Sequence, residues 1–237
     1  MDSNLNKMKP AITILLPVYN EEKWISMCLE SVIAQSFQDF KCIVGFNGTI
    51  DKSKEIFDSI CENDSRFIKI DYGERSGKAI TLNHMLKLVD TEYTCLIDGD
   101  DFWHRDKLQK QIENIGDCDV LGTMTHYIDE KNQITNSLNL ALDNDSIRSG
   151  FNKGHNQIIN SSCMVKTDCF RLANGWDYKV EGLEDFDMWV KISNMGKIFK
   201  NLQEHLVYHR VHSNSNFNAK KLNVTIEDIL IRNKIKC

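Results

Sequence analysis

The 237-residue chain has only two prolines, Pro10 and Pro17, so no proline-rich linker divides it. No stretch reaches the roughly 18 uninterrupted apolar residues that a spanning helix needs. The opening, Met1 to Lys9, is polar and lacks the apolar centre of a leader, so the expectation is a chain neither exported by a visible signal nor anchored by a span. Positive charge is not in excess: 29 Lys and Arg against 34 Asp and Glu leave a net charge of -5. That argues against nucleic acid as a partner, because a phosphate backbone calls for a basic surface. The eight cysteines include no C-x-x-C pair, the close spacing by which structural zinc usually shows itself. Several stand in apolar runs such as 93–97, as reduced core thiols do, which places the chain in a reducing compartment, the cytoplasm. Repeats and low-complexity tracts are also absent. A composition of 41% hydrophobic and 27% charged residues is that of an ordinary globular chain and excludes intrinsic disorder.

What is present is alternation. Residues 11–16 read as a buried strand ended by Pro17, and Asn20 is placed to cap a helix with Glu21 and Glu22 in its first turn. Trp24, Ile25, Cys28, Leu29, Val32 and Ile33 recur at helical spacing along it. Strands over 41–46, 67–72 and 93–97 and helices starting near Asp51 and over 77–89 continue a series of β-α-β units. Beyond residue 117 the pattern changes to a hairpin, with a strand over 119–128 and a turn over 129–133. A helix near Glu184, a strand over 205–211 and a helical tail over 219–237 complete the chain, the tail carrying Leu222, Ile226, Ile229 and Leu230 on one side. One compact domain with two functional halves is expected.

Three carboxylates, Asp98, Asp100 and Asp101, end the strand over 93–97. In an open α/β sheet, ligands bind outside the carboxyl ends of the strands, and a hard divalent cation is the natural counter-charge for crowded acids. The other reading of the same residues is an acidic turn in which Asp101 caps a helix over 102–115. Glu184, Asp185 and Asp187 likewise read either as acids favourable to a helix start or as a source of a catalytic base. The segment Gly73 to Lys78 superficially suggests a P-loop, but three residues rather than four separate its glycines and Ala79 stands where Ser or Thr is needed. That reading is rejected.

Taken together, Pro17-Val18-Tyr19-Asn20-Glu21, then Ser31 and Gln35, then Asn47 to Asp51, then Asp98-Gly99-Asp100-Asp101, then Glu184-Asp185 with Asp187 and Trp189 form an ordered series. It resembles the family-2 glycosyltransferases over roughly residues 11–213. The resemblance implies an α/β, Rossmann-like A-type glycosyltransferase fold: a mixed central sheet flanked by helices, with a smaller antiparallel region on the acceptor side. It implies a metal-dependent inverting transfer of a sugar from a nucleotide-diphosphate-sugar donor to a hydroxyl of a glycan or lipid-linked glycan. Pro17, Val18, Tyr19 and Glu21 would meet the nucleoside, Asp98 and Gly99 the ribose side, and Asp100 the Mn2+ or Mg2+ that bridges the diphosphate, with Asp101 as a further acid. Asp185 would be the base, with Glu184 beside it, and Lys78 would hold the diphosphate in competition with Arg75. His212 fits the family's closing Y-R-x-H-x-x-S segment as a metal or diphosphate ligand better than His209 does, since Tyr208 and Arg210 are separated by one residue here. Where the family carries acids that contact the nucleobase, this chain has Asn47, an acceptor and a donor in one side chain, so the base preference is open.

The division implied is an N-terminal extension over 1–10 and a glycosyltransferase domain over 11–213, comprising a nucleotide-sugar half over 11–116 and an acceptor half over 117–213. A tail over 214–237 follows. Residues 119–183 offer His126, Tyr127, His155, Asn156, Trp176 and Tyr178 for sugars or for ordinary packing. In the tail, Lys220, Lys221, Arg232, Lys234 and Lys236 beside the apolar stripe could rest on the inner face of an anionic membrane, or the stripe could pack onto the domain. A non-catalytic nucleotide-sugar-binding scaffold of the same fold is the alternative function. A nucleotidyltransferase is disfavoured because Pro17 to Glu21 stand where its Gly-rich basic loop belongs.

Overall fold

The computed structural model describes residues 11–212 and 224–234. The first half alternates as its sequence period dictates: β1 (Ile12–Val18), α1 (Ile25–Ile33), β2 (Phe40–Phe46), α2 (Ser53–Cys61), β3 (Phe67–Asp71), α3 (Lys78–Leu86) and β4 (Tyr93–Leu96). After a two-residue β5 (Phe102–Trp103) and α4 (Lys107–Asn114) come the hairpin β6 (Val120–Ile128) and β7 (Ile134–Leu138), then α5 (Asn144–Asn152), β8 (Met164–Lys166) and α6 (Thr167–Leu172). The last elements are α7 (Glu184–Asn194), β9 (Phe199–Arg210) and α8 (Ile226–Lys234).

One nine-stranded sheet runs in the order β3-β2-β1-β4-β8-β6-β9-β5, with β7 paired to β6. The β3-β2-β1-β4 half is parallel. β8 is antiparallel to both β4 and β6, so it joins the halves, and β9 returns parallel to β6 and antiparallel to β5. Along β1 the two-residue period divides the core: Ile12, Ile14 and Leu16 pack with Leu29, Val32 and Phe57 from α1 and α2, while Leu15 packs with Leu82 of α3 and the cluster that holds Phe170 and Trp189. Helices therefore cover both faces. The chain leaves β1 toward β2 and β3 and then crosses back to β4, so the strand order reverses between β1 and β4. That is where such sheets open a binding crevice, and both strands deliver their carboxyl ends to it.

Several expectations are corrected. Pro17 does not end β1, which runs to Val18 with Pro17 in register with Gly45. Ile97 N donates to Leu15 O on the β4 side and Asn47 N to Val18 O on the β2 side. By alternation the donorless proline nitrogen turns to the β4 side beyond the last β4 pair, where it breaks no ladder bond. Asn20 caps nothing: it is left-handed at φ 56 and accepts from Ile50 N at 2.9 Å. No acid falls in the first turn of α1. Residues 102–103 form β5 rather than a helix, so Asp101 is no cap, and β9 starts at Phe199 rather than His205. Seven cysteines are buried free thiols.

The tail helix begins at Ile226, and Leu222, Lys220, Lys221 and Lys236 lie outside the described residues. Ile229 is fully buried and Leu230 packs against the core, so part of the stripe offered to a membrane is turned inward. No described helix is long and apolar enough to cross a membrane.

Candidate active site

A cleft of about 1670 Å³ opens at the carboxyl ends of β1 and β4 and extends between α7 and the end of β9. Pro17 to Glu21, Asn47, Lys78, Asp98 to Asp100, Glu184, Asp185 and His212 all line it. Of the residues expected to bind donor or metal or to act as base, Asp101 does not; of those offered for sugars, Tyr127, His155 and Asn156 line it and His126, Trp176 and Tyr178 do not.

The loop after β4 is fixed by its neighbours. Asp98 N donates to Ser161 Oγ at 3.1 Å, and the Asp98 carboxylate meets Lys78 Nζ at 2.5 Å and Asn160 Nδ2 at 3.3 Å. Burial works against the Lys78 charge, but Asp98 and Glu184 outweigh it and hold the ammonium firmly protonated. Gly99 is required by close approach: a Cβ there would lie 2.9 Å from Glu21 Cγ. Asp100 Oδ2 lies 3.0 Å from His212 Nε2. Burial pushes the Asp100 carboxyl up, yet the His212 hydrogen bond and the His209 charge prevail and hold it below the usual range.

Asp101 is fully buried and serves as a hub. One oxygen accepts from Ser161 Oγ at 2.5 Å and lies 3.0 Å from His209 Nδ1, and the other accepts from Arg210 N at 2.9 Å. Arg210 Nε in turn donates to Asp100 O at 3.0 Å, and its guanidinium lies 4.1 Å over the Trp24 ring. Asp101 thus ties the end of β9 to the β4 loop, a structural duty that leaves it no direction in which to face a ligand. Burial opposes a charge on His209, but Asp101, Asp100 and Asp98 raise its pKa to about 9. Asp101→Ala would strand the buried Ser161 hydroxyl and Arg210 N–H and the half-buried His209 ring, and is expected to cost about 3 kcal/mol, measured as a lower urea midpoint at unchanged slope.

On the side expected to meet the nucleoside, Tyr19 lies under the Arg75 guanidinium at 3.9 Å. Asn47, nearly buried, accepts through Oδ1 from Ser76 N at 2.7 Å and Ser76 Oγ at 3.1 Å. A backbone N–H can only donate, so the amide oxygen is assigned by that contact and the group left for the cleft is the NH2 donor.

Across the cleft, the first turn of α7 presents Glu184 and Asp185. Glu184 Oε2 accepts from Gly182 N, closing the helix start on itself. Asp185 accepts from Phe186 N at 2.7 Å and from Asn156 Nδ2 at 3.2 Å. Burial first, then Glu184, push its pKa up to about 6 against the pull of Lys78. Asn160 and Ser161 drew no expectation from the sequence. Their part in holding Asp98 and Asp101 spans about sixty residues of chain and leaves no local pattern.

Among the described residues no three His, Cys, Asp or Glu side chains form a self-sufficient metal cluster. The donor set nonetheless suits a hard cation that completes its shell with phosphate oxygens and water, as Mg2+ does on one or two carboxylates. The acids outnumber their local cations to the point that burial, followed by Asp100, Asp98 and Asp101, raises Glu21 to about 9. A carboxyl held neutral first by burial and then by acidic neighbours has room beside it for positive charge.

The family model described as Glycosyl transferase family 2 matches residues 13–174, which carry β1 through β8 and the β4 acids. The chain belongs to this family. An uncharacterized glycosyltransferase of Methanocaldococcus jannaschii is 26% identical over 88% of the chain and 73% of its own length. The hyaluronan synthase of Pasteurella multocida is 25% identical over 94% of the chain, which spans only 22% of that enzyme. Among solved structures, TarS of S. aureus in complex with UDP-GlcNAc superposes with a TM-score of 0.75 at 16% identity, covering 89% of this chain and 61% of that one. The mannosyltransferase of Pyrobaculum calidifontis with GDP-Man and Mn2+ gives 0.68 at 16% identity, over 89% and 59%. The glycosyltransferase A-type fold is therefore that of this family-2 chain.

Proposed function

We propose that this family-2 chain is an inverting glycosyltransferase that moves a sugar from a nucleoside-diphosphate donor to a hydroxyl of a glycan or lipid-linked glycan. The observation that carries this reading is Asp185: a half-buried carboxyl with its pKa raised to about 6, oriented by Asn156, in the same cleft as the β4 acids. The acceptor oxygen forms a bond to the anomeric carbon as the bond from that carbon to the diphosphate oxygen breaks. The diphosphate leaves with the electron pair, and the hydroxyl proton passes to an oxygen of Asp185. A single displacement of this kind inverts the anomeric configuration.

Lys78, held against Asp98, and the His209 imidazolium place fixed positive charge where the leaving group gains negative charge. Asp100 and His212 would hold Mn2+ or Mg2+, which when bound neutralises diphosphate charge. Relatives named for hyaluronan, chondroitin and putative teichuronic acid synthesis, and fold neighbours holding UDP-GlcNAc or GDP-Man, support a nucleotide-sugar donor and a polysaccharide product. Leu138, Ile159 and Ile226 also line the cleft, which supports an acceptor with an apolar portion.

The test is incubation with UDP-, GDP-, CDP- and dTDP-linked sugars plus Mn2+, with nucleoside diphosphate release followed and the product anomer read by proton NMR. Retention of configuration, or no release from any donor with any glycan or lipid-linked acceptor, sinks the reading. The same panel tests Asn47. An NH2 donor facing the base suits a base acceptor, and Asn47→Asp replaces it with an acceptor. The substitution is expected to re-rank the four nucleotides by about tenfold, the worth of one hydrogen bond made or left unpaired. An unchanged ranking removes Asn47 from base selection.

A further inference from the structure

Helix α8 lies beyond the segment that carries the family match, yet its side chains reach both elements that hold Asp185. Asn233 Nδ2 donates to Asp187 Oδ1 at 3.0 Å, and Arg232 Nη2 lies 2.5 Å from Asp177 Oδ2 and 3.7 Å from Asp187 Oδ1. Asp187 sits in the first turn of α7, two residues past Asp185, and is fully buried; its other oxygen meets Lys191 Nζ at 2.7 Å. Asp177 accepts from Lys179 N at the start of the 3-10 turn (Tyr178–Val180) that leads into α7. The far end of α7 is held as well, Asn194 Nδ2 donating to Asn233 O at 3.0 Å.

At its other end α8 touches the second element. Ile226 Cγ2 stands 2.8 Å from where a Cβ on Gly154 would lie, and Gly154 has φ +79, so glycine is needed there for both space and backbone. Two residues on, Asn156 makes its 3.2 Å hydrogen bond to Asp185. A buried carboxylate such as Asp187 is expensive unless paired, and here the pairing comes from α8 as well as from its own helix.

We propose that α8 is the positioning element for the catalytic carboxylate: Arg232 and Asn233 fix the first turn of α7, and Ile226 fixes the loop that carries Asn156, so that the direction of Asp185 is set from outside the cleft. The inference rests on the reading of Asp185 as base for its consequence in transfer, but its geometry is tested separately.

The test is a carbon-13 carboxyl NMR titration of the full chain, with the Asp185 signal identified by its loss in Asp185→Asn. Around Asp185 stand Glu184, Lys78 and Asp98, none of which is altered. Arg232→Ala removes the bridge to Asp177, and Asn233→Ala removes the donor to Asp187. Asn233→Ala changes no charge, so loosening of the Asp185 surroundings admits water and is expected to lower its midpoint by about half a unit or more toward the ordinary carboxylate range, while in Arg232→Ala the lost cation works against that fall. Arg232→Lys is expected to restore the wild-type midpoint, and the Glu21 midpoint is expected to stay where it is. An Asp185 midpoint unmoved in both variants, with the helical circular dichroism intact, overturns the inference. So does a shift shared equally by Glu21, which would mean general loosening. Transfer by Asp185→Asn would defeat the base assignment alone and leave these midpoints unaffected, so the two failures are distinguishable.

Discussion

Asp185→Asn is expected to fold, to bind nucleotide as the wild type does, and to lose transfer by about 10²–10⁴-fold, the usual worth of a positioned general base. The amide has the shape of the carboxyl, and its oxygen can still accept from Asn156 Nδ2 or Phe186 N, the two donors that now hold Asp185. What it lacks is an oxygen able to take a proton. Because Lys78 pairs with Asp98 rather than with Asp185, the donor side has no direct contact with the change, and the loss should fall on kcat with nucleotide affinity kept. Initial rates at saturating donor and acceptor, beside nucleotide thermal shifts, check both halves. Wild-type turnover in Asp185→Asn would strip Asp185 of its role.

The same group sets a pH signature in the wild type. Burial and Glu184 hold the Asp185 pKa at about 6, and a base works only when ionised. Turnover should be level above that value and fall about tenfold per pH unit below it. Stability runs the other way. Between the ordinary 3.8 and about 6, the folded chain keeps a proton that the unfolded chain has released, so stability falls as pH rises through that window. Activity and stability therefore diverge over the same two units, a pairing expected of a carboxyl buried for its chemistry rather than for the fold.

The parallel half of the fold was legible because each strand and helix there announces itself within ten residues, and the apolar run of β1 and the helical period of α1 agree with their burial. The carboxyl-end acids were legible for the same reason: Asp98 and Asp100 stand directly after an apolar strand. What escaped were contacts made across long stretches of chain. Asp101 is chemically indistinguishable in sequence from Asp100, and only the fold shows that Ser161, His209 and Arg210 N surround it. Trp24 read as one more member of a helix face, whereas it carries the Arg210 guanidinium. His209 and His212 take different partners, one ring on Asp101 and the other on Asp100, a separation that three residues of sequence do not reveal. Tail and acceptor side were least legible, since Ile226 meets Gly154 across a separation that no local pattern records.

A nucleoside diphosphate should stabilise the chain strongly with Mn2+ and weakly without it, and Asp100→Asn should erase the difference. The cleft without cation is crowded with acids, Asp98 and Asp100 on the β4 loop and Glu21 facing them, so a diphosphate entering alone meets Asp98 and Asp100 with Lys78 and His209 beside them to offset the charge. Charge of one sign on both partners is costly in a site shielded from solvent. At a ligand concentration of about 100 times Kd, binding to the folded state alone adds about 2.7 kcal/mol, which for a chain of this length corresponds to a rise in Tm of roughly 5–10 °C. Excess EDTA should return the midpoint to that of the nucleotide alone and abolish transfer. Asp100→Asn keeps the size of the side chain and an acceptor oxygen but removes the charge, so it should retain the fold, lose the Mn2+ increment, and bind metal-free nucleotide no worse than the wild type, since one repelling acid is gone. His212→Ala should weaken the increment without removing it, because the histidine supplies a neutral ligand and Asp100 the charge. A full Mn2+ increment in Asp100→Asn would place the cation elsewhere in the cleft, and equal shifts with and without Mn2+ in the wild type would show that Lys78 and the two histidines hold the diphosphate by themselves.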